Sequence, residues 1–271
     1  MKNLMAFVSK TKNFYKDYGI LAKIQIDNSL DLGWKNEDII LATNFKFEYN
    51  GVKSIVVSDN NFVPYCVVNS KFKVIQELFN RGIIGESELY WFHDLDASQA
   101  DAITESEVSI GGADLAMTDN AWMDRWHTGS FFFTPKAKDI IKSMVVTQDL
   151  LKVGDELALT LHTIKFTEED KKKLKHSYDP NTLKKIPKIK GVDRRIKKIN
   201  ISYNFVPVVD IRFSYNAADK PIKVIHFRPH GAFPHRGIPS LLDFYMYGKN
   251  DINTVLMPER LIKIYQQHGI K

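Results

Sequence analysis

The sequence has little cysteine and no long apolar runs. Cys66 is the single cysteine among 271 residues, which excludes an internal disulfide and a metal site made of several cysteines. No window approaches the roughly 18 apolar residues that a membrane-spanning helix requires. The apolar stretch near the start, residues 4–8, is too short for the core of a signal peptide. These absences predict a soluble cytoplasmic protein, and we expect one domain over residues 1–271.

Positive charge is concentrated in one segment. The chain carries a formal net charge of +6, but residues 165–198 contain thirteen Lys or Arg and five Asp or Glu, a net charge of +8. The rest of the chain therefore carries −2. Such a run is commonly a solvated surface excursion, yet it also suits a polyanion such as nucleic acid, or an anionic membrane surface. Phe166 and Tyr178 are its only aromatic residues, so a base-stacking platform is not indicated.

Short β-rich runs alternate with helical patterns in the first two-fifths of the chain. Apolar runs bounded by turn residues predict strands, and apolar residues spaced three or four apart predict helices. The predicted strands are residues 5–9, 38–43, 54–57 and 89–92, and the predicted helices are residues 18–27 and 71–81. This order predicts an α/β fold with a mainly parallel central sheet flanked by helices, and with the basic segment as a surface excursion.

Two aspartates directly follow the predicted strand 89–92. Asp94 and Asp96 are two residues apart, at the carboxyl end of a strand, where open α/β sheets bind ligands. Both carboxylates can reach one hard cation, and Mg²⁺ or Mn²⁺ commonly shares such oxygen ligands with substrate phosphates. The pair therefore predicts a divalent cation that bridges to a diphosphate. The alternative is an ordinary structural loop.

Further polar features follow in a consistent order. After a predicted strand at residues 114–118 comes a polar loop and then Thr128 and Gly129, which either let the backbone approach a ligand closely or form an ordinary turn. Asp155 and Glu156 begin an apolar helix, where acidic residues can simply complement the helix dipole.

A late predicted strand, residues 223–227, carries His226, and a neutral imidazole can complete a manganese site. The segment that follows is unusually rich in His and Arg for a loop. It contains Arg228, His230, His235 and Arg236.

These features, in this order, resemble the GT-A glycosyltransferase fold and are most similar to the retaining nucleotide-sugar enzymes of glycosyltransferase family 8. In that family a strand ends in D-x-D, which Asp94 and Asp96 match. An N-[AS]-G segment follows, for which this chain has residues 127–129, His-Thr-Gly, without the asparagine. An acidic helix start comes next, and Asp155 and Glu156 resemble it.

The later motifs continue the resemblance. Asn200 and residues 203–205, Tyr-Asn-Phe, are similar to an N-x-x-N-F segment, and residues 224–227, Val-Ile-His-Phe, match the family's I-I-H-F. After this motif the chain departs from the family, because the glycine is displaced and no lysine stands in the loop to touch the diphosphate. Arg228 or Arg236 would replace that lysine.

The resemblance implies a metal-dependent glycosyltransferase that uses a nucleotide sugar, in particular a UDP-sugar. Mn²⁺ or Mg²⁺ would be held by Asp94, Asp96 and His226. Asp155 or Glu156 would stabilise the positive charge that develops on the sugar. The residues implied in donor binding are Ala6, Asp94, Thr128, Gly129, Arg228 and Arg236.

The basic segment predicts an anionic acceptor. Our preferred acceptor is DNA with hydroxymethylated bases, bound by Lys184, Lys185, Arg194 and Arg195, and a base hydroxyl inside a duplex must be exposed before transfer. The alternatives are a polysaccharide, lipid-linked or protein acceptor. Two other classes of protein stay open: a non-catalytic nucleic-acid-binding protein with this fold, and a nuclease that uses the same carboxylates with metal ions on phosphodiesters.

Overall fold

A seven-stranded sheet forms the centre of the computed structural model, which describes residues 1–15, 17–85, 88–108, 110–120, 123–163, 167–206, 211–226 and 257–270. The strands are β1 (Lys2–Phe7), β2 (Ile39–Thr43), β3 (Glu48–Tyr49), β4 (Val52–Lys53), β5 (Ile55–Val56), β6 (Tyr90–His93), β7 (Ala97–Gln99), β8 (Leu115–Asn120), β9 (Met123–Phe133), β10 (Ile196–Lys198) and β11 (Val224–His226). The order in the central sheet is β10-β8-β9-β6-β1-β2-β5. Strand β9 pairs antiparallel with β6 and β8, and the other pairs of this sheet are parallel.

Helices cover both faces of this sheet. They are α1 (Tyr18–Asp31), α2 (Ser70–Asn80), α3 (Lys138–Leu151), α4 (Asp155–Thr160), α5 (Glu168–Ser177), α6 (Pro180–Lys184), α7 (Val192–Arg195), α8 (Ile211–Ala217) and α9 (Glu259–Gln267). Among the residues that the structure describes, none of the helices combines the length and apolar character needed to cross a membrane.

Strand β1 shows why the sheet lies between two apolar layers. Its side chains alternate between the two faces of the sheet, as the period of a strand requires. Leu4 packs in the cluster that contains Ile75 of α2, whereas Met5 packs in the cluster that contains Ile24 of α1 and Leu261 of α9. Both faces are therefore buried, which explains the nearly continuous apolar runs of the parallel strands.

The predicted α/β fold with a mainly parallel sheet and flanking helices is confirmed, and the predicted strands and helices of the first two-fifths lie within a few residues of the observed ones. Of the two alternatives for Thr128 and Gly129, the ordinary turn is wrong, because both residues belong to β9. On either side of them, Ser130 pairs with His93 of β6 and His127 pairs with Thr118 of β8. Pairing with a neighbouring strand thus overrides the local preference of small polar residues for turns.

A second, smaller sheet stands beside the end of β6. In it β7 and β11 pair antiparallel, with His226 opposite Ala97. Because Ala97 directly follows Asp96, this register brings a histidine from 130 positions further along the chain to the aspartates after β6.

Candidate metal and donor-binding site

Asp94, Asp96 and His226 form one cluster at the carboxyl end of β6. One potential ligand atom from each residue lies within 4.8 Å of the others, and Nε2 of His226 is 3.2 Å from Oδ1 of Asp96. The backbone N–H of Asp94 donates to the carbonyl oxygen of Gly129 at 2.8 Å, which fixes the start of the aspartate loop to β9. The three residues that the sequence predicts as metal ligands are therefore adjacent in the fold.

The chemistry of this cluster fits a divalent cation. Two carboxylates and an imidazole are ligands that Mn²⁺ accepts readily. Nε2 of His226 faces Oδ1 of Asp96 and is the ring nitrogen placed to join the carboxylates at a cation. Nδ1 is buried against Gly129 and has no hydrogen-bond partner among the described residues. Burial alone lowers the pKa of His226, but the charges of Asp96 and Asp94 raise it overall. The cluster thus carries negative charge that a cation would neutralise.

Gly129 is required by the packing of His226. A Cβ atom built on Gly129 would lie 2.2 Å from Cε1 and Nδ1 of the His226 ring, far inside van der Waals contact. The sequence predicts that the backbone here approaches a ligand closely, and the structure shows that the group packed against it is the imidazole of the candidate metal site.

Lys71, in the first turn of α2, is a site residue that the sequence analysis missed. Its side chain is only 6% exposed, and its Nζ donates to both carboxylate oxygens of Asp94 at 3.0 and 2.9 Å and to the carbonyl of Thr128 at 3.0 Å. A further contact of 3.2 Å joins Nζ to Oδ2 of Asp155. Burial by itself lowers the pKa of Lys71, but the charges of Asp94 and Asp155 raise it overall, so the ammonium stays charged.

One pattern could have revealed this lysine. Lys71, Ile75 and Leu78 are spaced i, i+4 and i+7, which places them on the same face of a helix. Ile75 and Leu78 are fully buried. A lysine on such a face is seldom buried unless it is paired, so its position indicates buried acidic partners.

Asp155 and Glu156 occupy different environments although they are neighbours. Asp155 is 5% exposed, and its Oδ2 accepts from the hydroxyl of Thr128 at 2.7 Å while its Oδ1 accepts from the backbone N–H of Glu156 at 2.9 Å. The side chain of Glu156 is 42% exposed and lies beside His127, with Oε1 3.8 Å from Nε2 of the ring. Burial raises the pKa of Glu156 to about 7, with a further contribution from the charge of Asp155.

A cavity of about 340 Å³ opens beside the cluster, at the carboxyl ends of β1 and β6. Asp94, Asp96 and Lys71 provide its polar wall, and Tyr15 and Tyr18 contribute aromatic surface. Its lining also includes Ala6, one of the residues predicted to bind the donor. The arrangement offers a charged end beside the metal cluster and an apolar, aromatic region next to it, as a nucleotide requires.

The predicted acceptor residues differ in how accessible they are. Lys184, Lys185 and Arg194 are exposed. Arg195 is half-buried, because its guanidinium binds Asp114 through Nε at 2.5 Å and Asp139 through its terminal nitrogens at 2.5 and 2.7 Å.

The basic segment also contains an open groove of about 520 Å³ with three lysines and an apolar floor. Its lining includes Lys171, Lys175, Lys188, Leu174 and Ile186. Arg228 and Arg236, which were predicted to contact the diphosphate, lie outside the described residues.

No protein-family model and no curated protein match this sequence. The structure is similar to that of an active-site mutant of the galactosyltransferase LgtC, with 12% identity, a TM-score of 0.54, and coverage of 98% of this chain and 96% of LgtC. It is also similar to the glycosyltransferase GlyE of Streptococcus pneumoniae TIGR4, with 11% identity and a TM-score of 0.52. That comparison covers 100% of this chain and 64% of GlyE. The chain thus has the GT-A glycosyltransferase fold.

The packing of Gly129 leads to a testable prediction. We expect Gly129→Ala to weaken Mn²⁺ binding about 10–100-fold, because the new methyl group must displace the His226 ring from the cluster. Calorimetric titration with Mn²⁺ measures this. Gly85→Ala is the matched control, since its added Cβ would meet nothing nearer than 3.8 Å. Equal Mn²⁺ affinity in both variants would show that the ring position does not matter for ion binding.

Proposed function

We propose that the protein is a metal-dependent glycosyltransferase, which moves a sugar from a nucleotide-sugar donor to an acceptor hydroxyl. The observation that carries this proposal is the Asp94–Asp96–His226 cluster, which borders the 340 Å³ cavity of a GT-A fold. The acidic pair and the histidine come from separate parts of the chain, and the register of β7 and β11 brings them together. A purely structural loop has no need of that convergence.

The donor would bind with its nucleoside in the cavity and its diphosphate against the cluster. Mn²⁺ or Mg²⁺, bound by Asp94, Asp96 and His226, would supply Lewis-acid stabilisation of the leaving nucleoside diphosphate. The ammonium of Lys71 holds the Asp94 carboxylate in place. Tyr15 and Tyr18 offer aromatic surface for the base of a UDP-sugar. The family resemblance favours retention at the anomeric carbon, which NMR analysis of the product would test.

Of the two acids on α4, we assign the chemical role to Glu156. Both oxygens of Asp155 are engaged by Lys71, Thr128 and the amide of Glu156, so this residue orients the site. The Glu156 carboxylate is partly exposed beside the cluster and can face the sugar. An ionised carboxylate there would stabilise the oxocarbenium-like transition state of glycosyl transfer.

For the acceptor, we propose an anionic molecule, with DNA that carries hydroxymethylated bases as the preferred candidate. The support is the net charge of +8 between residues 165 and 198, together with the exposure of Lys184, Lys185 and Arg194. Arg195 is paired with the carboxylates of Asp114 and Asp139, so we assign it to anchoring the segment and not to binding the acceptor. Polysaccharide, lipid-linked and protein acceptors are the alternatives, and a comparison of acceptors tests the first two.

The metal ligands provide the most direct test of the enzyme. Asp96→Asn and His226→Gln should each reduce manganese-dependent donor affinity at least about 100-fold, because each removes one ligand of the cation. Asp94→Asn should do the same and should also destabilise the fold, since Lys71 loses one of its two charged partners. Calorimetric titration of UDP-sugars with and without Mn²⁺ measures the affinity, and Glu48→Gln, an exposed carboxylate on β3, is the control. Unchanged donor affinity in the three cluster variants would refute the metal site.

The two acids of α4 should respond differently to neutral substitution. Glu156→Gln should lower turnover about 100–1,000-fold, because charge stabilisation in the transition state is lost, with little change in the free energy of unfolding. Asp155→Asn should lower the free energy of unfolding by about 1.5–3 kcal/mol, because a charge-assisted contact with the buried Lys71 is weakened. Donor hydrolysis and urea unfolding measure the two effects, with the exposed Glu169→Gln as the control. Full turnover in Glu156→Gln would exclude the proposed role.

The pH profile gives the same prediction a second readout. The pKa of Glu156 is raised to about 7, so its ionised fraction grows as the pH rises through that value. Turnover that requires the carboxylate should therefore increase with pH and level off above about 7. A bound divalent cation favours the ionised form and moves this limb to lower pH. The limb should be absent from the residual activity of Glu156→Gln.

The acceptor surface can be tested through salt and charge reversal. If the segment binds DNA phosphates, log acceptor affinity should fall with log salt concentration with a slope of about −0.9 per phosphate neutralised. The triple variant Lys184→Glu, Lys185→Glu, Arg194→Glu should lose DNA binding and keep donor hydrolysis. The control reverses three exposed lysines elsewhere, Lys35, Lys46 and Lys53, for the same change in net charge.

The acceptors to compare are duplexes with and without hydroxymethylated pyrimidines, a neutral saccharide and a lipid-linked saccharide. Salt-insensitive transfer, or transfer to a neutral or lipid-linked saccharide alone, would contradict the DNA acceptor and leave the glycosyltransferase proposal standing. Phosphodiester cleavage without any sugar nucleotide would indicate a nuclease. DNA binding without donor binding would indicate a non-catalytic nucleic-acid-binding protein.

A further inference from the structure

His127 stands next to the candidate chemistry, at the position where the resembled family carries asparagine. It belongs to β9, and its side chain is 16% exposed. Its Nδ1 accepts a hydrogen bond from the backbone N–H of Gly129 at 3.3 Å and lies 2.5 Å from the side-chain amide of Asn204. A backbone amide can only donate, so Nδ1 must present its lone pair. In the neutral ring, the proton is therefore on Nε2.

The ring is held neutral and in a fixed orientation. Nδ1 accepts the hydrogen bond of Gly129 and so carries no proton. The edge of the ring packs against the ring of His226, with the centroids 5.1 Å apart and the planes at 84°. With Nδ1 fixed by Gly129 and Asn204, the Nε2–H can point in only one direction. Among the described residues, the carboxylate recorded near this nitrogen is that of Glu156, whose Oε1 is 3.8 Å from Nε2.

We propose that His127 is a positioning residue, whose Nε2–H holds the Glu156 carboxylate turned toward the donor sugar. The inference rests on the proposed function, because it assigns a partner to the acid that acts there. The separation of 3.8 Å is longer than a hydrogen bond, and such contacts commonly tighten when the substrate binds. A partly exposed glutamate has several rotamers, and a single fixed donor selects the productive one.

The alternative role for His127 is packing, in which the ring only fills space beside His226. The two roles make different demands on the side chain. Packing requires a volume similar to that of imidazole, whereas positioning requires an N–H at the place of Nε2. A glutamine can place its amide nitrogen near that point, but the amide of asparagine reaches only the place of Nδ1.

The experiment is a double-mutant cycle between positions 127 and 156, with manganese and UDP-sugar donors. His127→Asn should lower kcat for donor hydrolysis about 10–100-fold, as the loss of an orienting group commonly does, and should leave donor affinity in calorimetry unchanged. His127→Gln should recover most of the lost kcat. In a Glu156→Gln background, His127→Asn should have no further effect on the residual rate. Melting temperatures of all variants show whether each is folded.

Two results would overturn the inference alone. Equal losses from His127→Asn in both backgrounds would mean that the ring acts independently of Glu156. Equal kcat values for the asparagine and glutamine variants would mean that the Nε2–H is not used. If the unaltered protein binds no nucleotide sugar and hydrolyses none in the presence of Mn²⁺, the proposed function fails and the inference falls with it. Donor binding by calorimetry separates that outcome from the other two.

Discussion

The buried ammonium of Lys71 is the contact on which the geometry of the site depends. It joins four parts of the chain at one point: α2, the end of β6, β9 through the carbonyl of Thr128, and the start of α4. A charge in such a place is tolerated only when it is paired, and removal of one partner of a buried pair typically costs about 3–5 kcal/mol. The charge therefore constrains the fold as well as the site. Asp94 and Asp155 have to converge on Lys71 whether or not a substrate is present.

The pairing with Lys71 distinguishes the acidic residues of the site from one another. Asp94 pairs with Lys71 and also belongs to the candidate metal cluster. Its carboxylate therefore contributes both to the packing of the fold and to the candidate site. Burial raises the pKa of Asp94, and the attraction of Lys71 opposes that effect. Asp155 is committed to the interior, which leaves Glu156 as the acid of this pair with an exposed carboxylate. Adjacent residues of the same chemical type thus have different partners because they differ in burial.

The parts of the site that depend on local sequence were predictable, and the parts that depend on tertiary pairing were not. Asp94 and Asp96 directly follow an apolar strand, so their place at a sheet end could be expected from the sequence. His226 ends a predicted strand, but its proximity to Asp96 depends on the register of β11 with β7, which no local pattern encodes. The extension of β9 through Gly129 was missed because small polar residues favour turns when they are considered alone.

The basic segment contacts the rest of the protein at several points along its length. It begins after α4, which packs against β9, and the chain returns to the central sheet at β10, which pairs with β8. Arg195, which directly precedes β10, donates hydrogen bonds to the carboxylates of Asp114 and Asp139. Between these points, α5 is joined to β9 by the ion pair of Asp170 with Arg125, and α6 packs through Leu183 beside α3 and α4. None of these contacts involves Asp94, Asp96 or His226, so the surplus of positive charge and the candidate metal site are carried by separate parts of the chain.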